Sequence, residues 1–241
     1  MAAMTLLQTT GLTRYFGGLR AIDDVDFDLK SGEIHALIGP NGAGKTTFVS
    51  LLCGRILPQS GTIHFDGHDI THLPAHDRVA RGIAYTFQIT SIYARLSVFD
   101  NVALAVQRHS AKDLHKNTLY ALARIGLAEM SHQIAGTLSY GHQRLLEIAM
   151  GLALTPRLLI LDEPTQGLAQ PEIEGFKSLV QSLIPQTTIL LIEHNMDVVM
   201  DLAHRITVLN SGTVLARGTP AEVRATAAVQ AAYLGSDHVA D

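Results

Sequence analysis

The chain has 241 residues and a mass of 26.0 kDa, which suits one compact unit with an inserted lobe or two small domains. Hydrophobic residues make up 47% of it and charged residues 17%, a balance that supplies a core and excludes intrinsic disorder. A net charge of −4 and a pI near 6.3 provide no basic face for wrapping nucleic acid. The single cysteine, Cys53, excludes an internal disulfide framework.

A mean hydropathy of +0.20 raises the question of a membrane span. The longest stretch without charge, residues 178–192, contains glutamine, serine, threonine and proline, and it is shorter than the roughly 20 apolar residues that a span needs. Residues 1–5 have neither the basic nor the apolar segment of a signal peptide. We therefore expect a soluble, cytoplasmic protein whose slight apolar excess leaves room for a partner surface.

The first half of the chain predicts strands, then a loop and a helix. Val25, Phe27 and Leu29 alternate with charged residues, which is the period-two pattern of a half-buried antiparallel strand. A turn at 31–33 leads to the apolar run 34–38, which favours a buried strand. The remaining elements of this half are a helix after a glycine-rich loop and two short strands, predicted over 46–52, 61–65 and 83–87.

The second half begins with a helical stretch over 96–135, where apolar residues recur at helical spacing and strand patterns disappear. A further helix follows Ser139 and runs to Leu154. Strand patterns return over 158–161 and 189–192. The last predicted elements are a hairpin over 206–216, with its turn at 210–212, and a helix that begins at Pro220. This order predicts an α/β core with one helical insertion.

The glycine-rich loop at residues 39–46 reads Gly-Pro-Asn-Gly-Ala-Gly-Lys-Thr and matches G-x-x-x-x-G-K-[ST]. Its glycines let successive backbone N–H groups point at one anion, and the following helix adds its positive N-terminal end. Lys45 is placed to reach the β- and γ-phosphates, and the Thr46 hydroxyl to ligate Mg²⁺. The predicted nucleotide-binding residues of this loop are Gly39, Pro40, Asn41, Gly42, Ala43, Gly44, Lys45, Thr46 and Thr47.

Two carboxylates follow the apolar strand at 158–161. Asp162 is suited to hold Mg²⁺, and Glu163 to orient or deprotonate a water that attacks the γ-phosphate. Ligands gather at the carboxyl edge of open α/β sheets, so we expect both residues to lie in the site rather than to be merely solvated.

A third motif, Leu-Ser-Tyr-Gly-His-Gln at 138–143, begins the helix after Ser139. Ser139 and the N–H groups of Tyr140 and Gly141 form a second anion site, although Ser139 alone is also an ordinary N-cap. Together with the phosphate loop and the two carboxylates, this motif resembles the signature of ATP-binding cassette (ABC) ATPases. The resemblance implies that two ATPase subunits pair head to tail, each signature motif capping the ATP on the opposite phosphate loop.

The resemblance extends over about residues 5–235 and implies further site residues. Phe16, rather than Tyr15, corresponds to the aromatic residue that stacks on adenine. Gln88 corresponds to the glutamine that contacts Mg²⁺ or the attacking water, and His194 to the histidine that hydrogen-bonds the γ-phosphate. Lys45, Glu163, Gln88 and His194 are thus the expected catalytic residues, and Thr46, Gln88 and Asp162 the expected metal ligands.

Two positions depart from the family pattern. The signature motif usually reads Leu-Ser-Gly-Gly-Gln, whereas this chain has Tyr140 and His142 at the third and fifth positions. Ala169 stands where the loop after Glu163 usually carries aspartate or asparagine. The effect of His142 and Ala169 on coupling between the two ATP sites stays open, and we still expect an active ATPase.

The implied fold is a P-loop, RecA-like α/β core with an N-terminal antiparallel β region and an inserted helical subdomain. The expected single ABC domain spans 5–235. Its core would comprise 5–90 and 155–235, and its helical signature subdomain 91–154, with a C-terminal tail at 236–241.

Several segments most resemble ATPases of branched-chain amino acid importers, namely 16–18, 167–168, 192–197, 218–223 and 232–235. This likeness implies ATP and Mg²⁺ as cofactors and a peripheral position on the cytoplasmic face of the inner membrane. The implied partners are two permease subunits, a second identical or different ATPase subunit and, indirectly, a solute-binding protein, with no nucleic acid. Other cargoes stay open, namely urea, amides and exported lipopolysaccharide.

Three other classes are weaker alternatives. A soluble ABC ATPase acting on DNA would carry a coiled-coil insertion, yet the 94 residues from Lys45 to Ser139 contain no heptads, and one acting on ribosomes usually has two cassettes. A small-molecule kinase would not need the Ser139-Tyr140-Gly141 motif. Finally, Ala169 leaves open a non-catalytic nucleotide sensor.

Overall fold

The computed structural model describes residues 4–86, 91–109 and 113–234, which form two compact units. The first unit combines the chain up to Arg81 with the chain from Thr188 onward, and the second comprises Gly82–Thr187. Among the described helices, none is both long and apolar enough to cross a membrane.

The first unit begins with strands and short helices. Up to Arg81 the elements are β1 (Thr5–Phe16), β2 (Leu19–Lys30), β3 (Ile34–Ile38), α1 (Lys45–Leu52), β4 (Ser60–Phe65), β5 (His68–Asp69) and α2 (Ala75–Ala80). The second unit contains β6 (Ile83–Thr86), α3 (Val98–His109), α4 (Leu114–Arg124), 3₁₀ turns at Ala128–Met130 and Ala135–Thr137, α5 (Tyr140–Ala153), β7 (Leu158–Asp162) and α6 (Gln170–Leu183). The chain then returns to the first unit with β8 (Thr188–Ile192), α7 (Met196–Leu202), β9 (Arg205–Asn210), β10 (Thr213–Gly218), α8 (Pro220–Ala225), α9 (Ala227–Val229) and a π-helical turn (Gln230–Leu234).

The first unit contains an antiparallel sheet with strand order β2-β1-β4-β5, the expected N-terminal antiparallel region. In a second group of strands, β3 lies parallel to both β8 and β9, and β9 continues into β10 through a tight hairpin. Ser211 and Gly212 both have positive φ at that turn, which is the conformation that a two-residue hairpin requires. Every residue of β3 and β8 is buried, as their continuous apolar sequences predict.

The core of the first unit lies against β3 and β9. Small and branched side chains of the two strands pack with residues from α7, α8 and α9 in one buried cluster: Ala36, Ile38, Val199, Ala203, Ile206, Val208, Val223 and Val229. The carboxyl end of β3, which leads into the phosphate loop, therefore starts from a rigid, apolar layer.

The second unit joins a parallel strand pair to a group of helices. In the pair β6–β7, Ile83 lies opposite Leu158 and Thr86 opposite Leu161. Helices α3, α4 and α5 pack against one another. Leu146, Ile148 and Leu152 of α5 are buried, which agrees with the predicted apolar stripe.

Most predicted elements are present, and the α/β fold with a helical insertion is confirmed. The helix after Ser139 begins at Tyr140, and the hairpin and the helix at Pro220 are formed as expected. Strand β6 ends at Thr86, and Phe87 of the predicted strand 83–87 lies outside the described residues. Local sequence patterns did not predict β1, the short strand β5, or the helices α2, α6, α7 and α9.

Candidate functional site

The phosphate loop connects β3 to α1 in the first unit. Gly39 and Gly44 have φ angles of +154° and +103°, which glycine adopts without strain. A Cβ at Gly39 would overlap the Leu209 carbonyl oxygen, and one at Gly44 would overlap the Ala21 carbonyl oxygen. These two glycines are therefore required because neighbouring backbone approaches them closely.

Lys45 and the first turn of α1 form the basic end of this loop. The Lys45 ammonium donates to the carbonyl oxygens of Gly39, at 2.6 Å, and Pro40, at 3.2 Å. The first hydrogen bond of α1 runs from the Phe48 N–H to the Gly44 carbonyl, at 2.8 Å. The N–H groups of Lys45, Thr46 and Thr47 therefore lie in the first turn, where N–H groups have no partner within the helix. Three backbone donors, two hydroxyls and one ammonium thus stand together, an arrangement that binds phosphate.

Of the remaining predicted residues in the first unit, Phe16 ends β1 with 45% of its surface exposed, and the Arg14 guanidinium lies 4.8 Å from its ring centroid. Tyr15 is engaged differently, because its hydroxyl donates to Asp23 at 3.1 Å. That hydrogen bond raises the pKa of Tyr15. Phe16 therefore offers the more accessible ring for stacking.

The predicted residue Gln88 lies outside the described residues.

His194 is an exposed residue that follows β8. The backbone N–H groups of His194 and Asn195 donate to the buried carboxylate of Glu193, at 3.1 and 3.2 Å. Asn195 then caps α7 by accepting from two backbone N–H groups. No sequence motif indicated a role for Glu193, although its buried side chain fixes the loop that carries the histidine.

In the second unit, Asp162 and Glu163 stand at the end of β7. Asp162 is buried, and its Oδ2 accepts a hydrogen bond from the Tyr85 hydroxyl at 2.7 Å. Glu163 is half-buried and has a φ angle of +47°, a conformation that costs energy in any residue with a Cβ.

Arg144 of α5 contacts the backbone beside these carboxylates. Its guanidinium is buried and forms an ion pair with Glu147 at 2.9 Å. The same guanidinium donates to the carbonyl oxygens of Asp162, at 3.4 Å, and Glu163, at 3.0 Å. The helix of the signature motif is thereby tied to the strand end that carries the acidic pair.

The signature motif forms the N-terminus of α5. The Ser139 hydroxyl accepts from the His142 backbone N–H at 3.2 Å, so the N-cap that the sequence allowed is present. The exposed ring of Tyr140 lies against Gly167, where a Cβ would be 3.1 Å from the ring. A Cβ at the buried Gly141 would overlap the Glu172 carboxylate. The cap leaves the Ser139 proton available to an anion, because a hydroxyl that accepts one bond still has a proton to donate.

Ala169 occupies the N-cap position of α6, where a polar side chain is usual. Its own side chain accepts no hydrogen bond, and only the reciprocal bond is made, from the Ala169 N–H to Glu172 Oε2 at 2.8 Å. The residue is exposed, so this departure leaves the fold of the loop intact.

Comparisons with known proteins agree with these features. Residues 22–166 match the family model described as "ABC transporter", and residues 213–239 match a model described as "Branched-chain amino acid ATP-binding cassette transporter". The chain is 37% identical to the high-affinity branched-chain amino acid transport ATP-binding protein BraF of Pseudomonas aeruginosa, over 95% of this chain and 98% of BraF. It is 33% identical to the lipopolysaccharide export system ATP-binding protein LptB of Escherichia coli, over 97% of this chain and 99% of LptB.

Among solved structures, the chain resembles the ADP conformation of MJ1267, an ATP-binding cassette of an ABC transporter. The TM-score is 0.87 at 26% sequence identity, and the match covers 96% of this chain and 99% of MJ1267. Similarity of fold and of sequence thus extends over nearly the entire chain.

Proposed function

The chain belongs to the ABC transporter family, and from this premise we propose that it is the ATP-hydrolysing subunit of an importer of branched-chain or related amino acids. The single observation that carries the ATPase function is the phosphate loop. There, Gly39 and Gly44 permit a backbone that no other residue allows, and Lys45 begins α1. The cargo class is supported by the likeness to BraF and by the match over residues 213–239.

We assign ATP binding to Phe16, on which adenine would stack, and to the loop residues 39–47, which would hold the phosphates. The proposed metal ligands are Thr46, Gln88 and Asp162, whose hydroxyl, amide and carboxylate oxygens fit the preference of Mg²⁺ for oxygen. When bound, Mg²⁺ supplies positive charge that offsets the charge on the phosphates.

Hydrolysis in this proposal depends on positioned charge. Glu163 orients and deprotonates the attacking water, Lys45 stabilises charge on the γ-phosphate, and His194 donates a hydrogen bond to it. Gln88 contacts the same water. The place of Glu163 directly after Asp162, at the end of β7, supports this use of the carboxylate.

The proposed assembly contains a second ATPase subunit, identical or different, and two membrane permeases. Ser139, Tyr140 and Gly141 would cap the ATP held by the partner ATPase, because the N-terminus of α5 attracts an anion. We place the chain peripherally on the cytoplasmic face of the inner membrane, with a solute-binding protein acting through the permeases. The proposed domain has a helical signature lobe over 91–154 and a core over 5–90 and 155–235; the compact unit 82–187 contains this lobe together with 82–90 and 155–187 of the core.

The experiment that tests the ATPase function replaces Glu163 with glutamine, which keeps the shape of the side chain and removes its basicity. We expect turnover to fall about 10²- to 10⁴-fold while ATP affinity stays unchanged. Glu129→Gln, at an exposed acid of the same unit, is the matched control and should retain full turnover. Near-normal turnover in Glu163→Gln would remove Glu163 from the mechanism.

Purification of tagged Glu163→Gln protein from detergent-solubilised native membranes, with ATP present, tests the transport function. We expect two integral permeases in the mass spectrum, and their identity would define the cargo. Permeases of a lipopolysaccharide exporter would support the second candidate function, which the 33% identity to LptB favours. Recovery of soluble partners alone would overturn the transport function and leave the ATPase function intact.

A further inference from the structure

Asp162 is contacted by a residue for which the motifs provide no role. Tyr85 lies in β6, opposite Ile160 of β7 in the parallel register. Its side chain reaches along the sheet to the strand end, where its hydroxyl stands 2.7 Å from Asp162 Oδ2. An ionised carboxylate only accepts hydrogen bonds, so the phenol is the donor.

We propose that Tyr85 is a positioning residue for Asp162. The phenol occupies Oδ2 and thereby limits rotation of the carboxylate, so that Asp162 presents one orientation to a bound metal. The inference rests on the proposed function, in which Asp162 is a metal ligand. Carboxylates that ligate metals are commonly held by such outer hydrogen bonds, and these bonds raise affinity by fixing the geometry before the metal arrives.

The surroundings of Tyr85 allow its hydroxyl to be removed without a change in the fold. Tyr85 is half-buried and lines a cavity of about 420 Å³ together with Tyr93, Glu147 and Gly151. Loss of the hydroxyl therefore leaves the ring in place against the cavity wall. It removes a donor without creating a closed void in the core.

The backbone of the same strand end is held independently. Arg144 donates to the carbonyl oxygens of Asp162 and Glu163, and its ion pair with Glu147 keeps the guanidinium in position. Removal of the Tyr85 hydroxyl should therefore loosen the carboxylate by one hydrogen bond while the main chain stays fixed. Tyr85→Phe should therefore change the orientation of the Asp162 side chain and leave its backbone in place.

The test is the variant Tyr85→Phe in the full-length protein, with Mn²⁺ as the probe. Mn²⁺ is titrated into protein saturated with ADP, and free Mn²⁺ is counted by electron paramagnetic resonance. We expect the Kd for Mn²⁺ to rise about tenfold, the lower end of the range for outer-shell changes. The affinity for ADP in EDTA and the urea midpoint in EDTA should match those of wild type. The Mg²⁺ concentration for half-maximal ATPase activity should rise in the same proportion.

Two further variants make the result specific. Tyr93→Phe removes a hydroxyl from the same cavity wall and should leave Mn²⁺ affinity unchanged. In an Asp162→Asn background, Tyr85→Phe should change Mn²⁺ affinity by less than about twofold, because a residue that acts through Asp162 has nothing left to position.

Unchanged Mn²⁺ affinity in Tyr85→Phe would overturn the proposal. An equal loss of ADP affinity in EDTA would also overturn it, since Tyr85 would then support the unit generally. If wild-type protein binds no Mn²⁺ with ADP, the proposed function fails and the role of Tyr85 fails with it. Failure of the proposed function can thus be told apart from failure of the Tyr85 role alone, because it is seen in the wild-type protein.

Discussion

At the scale of single residues, the phosphate loop requires glycine for two separable reasons. Gly42 and Gly44 both have positive φ angles, +78° and +103°, which a residue with a Cβ adopts at a cost. A Cβ at Gly44 would also overlap the Ala21 carbonyl oxygen, whereas a Cβ at Gly42 would meet nothing within 4 Å. The two positions therefore separate backbone strain from steric overlap.

We predict that Gly42→Ala lowers the free energy of unfolding by about 1 kcal/mol, since it introduces strain alone. Gly44→Ala should lower it by about 3 kcal/mol or more, because the loop must also move away from the Ala21 carbonyl. Urea unfolding without nucleotide, followed by circular dichroism, measures both values. Equal costs for the two variants would contradict the close backbone approach at Gly44.

At the scale of elements, the N-terminus of α5 has one observed use, the Ser139 cap, and one proposed use, the binding of a phosphate. Ser139 caps the helix by accepting from the His142 N–H at 3.2 Å, and the same end of the helix attracts an anion through its dipole. Aspartate caps a helix as well as serine does, but it carries a negative charge. Substitution by aspartate therefore keeps the cap and opposes a phosphate.

We predict that Ser139→Asp keeps the free energy of unfolding within about 0.5 kcal/mol of wild type, because the cap survives. Its ATPase turnover should fall at least about tenfold, since a carboxylate repels the γ-phosphate. Ser139→Ala is the matched variant and should lose about 1 kcal/mol of stability with its cap. Full turnover in Ser139→Asp would reduce Ser139 to a helix cap.

The same elements explain which parts of the fold could be predicted from sequence. Strand β2 alternates regularly, and α5 has both a cap and an apolar stripe, so local patterns identify them. Strand β1 breaks the alternation, because its register shifts place consecutive buried residues at Leu6–Leu7 and Leu12–Thr13. Helix α6, by contrast, has a readable stripe at Ile173, Phe176, Val180 and Leu183, which could have identified it.

The motifs of the site are local in sequence, whereas the residues that support them are not. The loop at 39–47 is recognised by its spacing, Asp162 by the apolar strand that precedes it, and Ser139 by its resemblance to a family signature. Tyr85 contacts Asp162 across 77 residues, and nothing in the residues between them indicates that pairing.

The contacts of Arg78 could not be predicted from the sequence either. Its guanidinium is buried and donates to the carbonyls of four residues: Leu51, Leu52, Thr71 and Leu73. Burial lowers the pKa of Arg78 to about 10, because it disfavours the charged guanidinium. This burial depends on the tertiary structure and could not be predicted from the sequence around Arg78.

At the scale of the whole molecule, folding stability depends on a polar network that joins the two sheet regions of the first unit. Asp28 of β2 forms ion pairs with Arg205 of β9, at 2.7 Å, and Arg217 of β10, at 2.9 Å. Beside them, His35 is buried between Glu33, at 3.3 Å, and the Thr207 hydroxyl, at 2.8 Å. A neutral imidazole with its proton on Nδ1 satisfies both contacts, by donating to Glu33 and accepting from Thr207.

This network makes the stability of the protein depend on pH. Burial lowers the pKa of His35 below its usual 6.5, and the hydrogen bond with Glu33 offsets this only in part. In the unfolded chain His35 takes up a proton as pH falls through 6.5, while in the folded protein it stays neutral to lower pH. Folding stability is therefore lost on acidification across this window. The pKa of Glu33 is lowered from 4.5, because hydrogen bonds from His35 and the Lys30 backbone outweigh its burial, so its contribution stays constant above about pH 5.5.

We predict that wild-type protein loses about 1 kcal/mol more stability than His35→Gln between about pH 7.5 and about pH 5.5, because glutamine occupies the same place and does not titrate. Urea unfolding across this pH range measures the two slopes, whatever the difference in absolute stability. His76→Gln, at a histidine whose side chain is 72% exposed, is the matched control and should reproduce the wild-type slope. Parallel profiles for wild type and His35→Gln would mean that His35 takes up its proton equally in both states, and that the imidazole between Glu33 and Thr207 is accessible to protons.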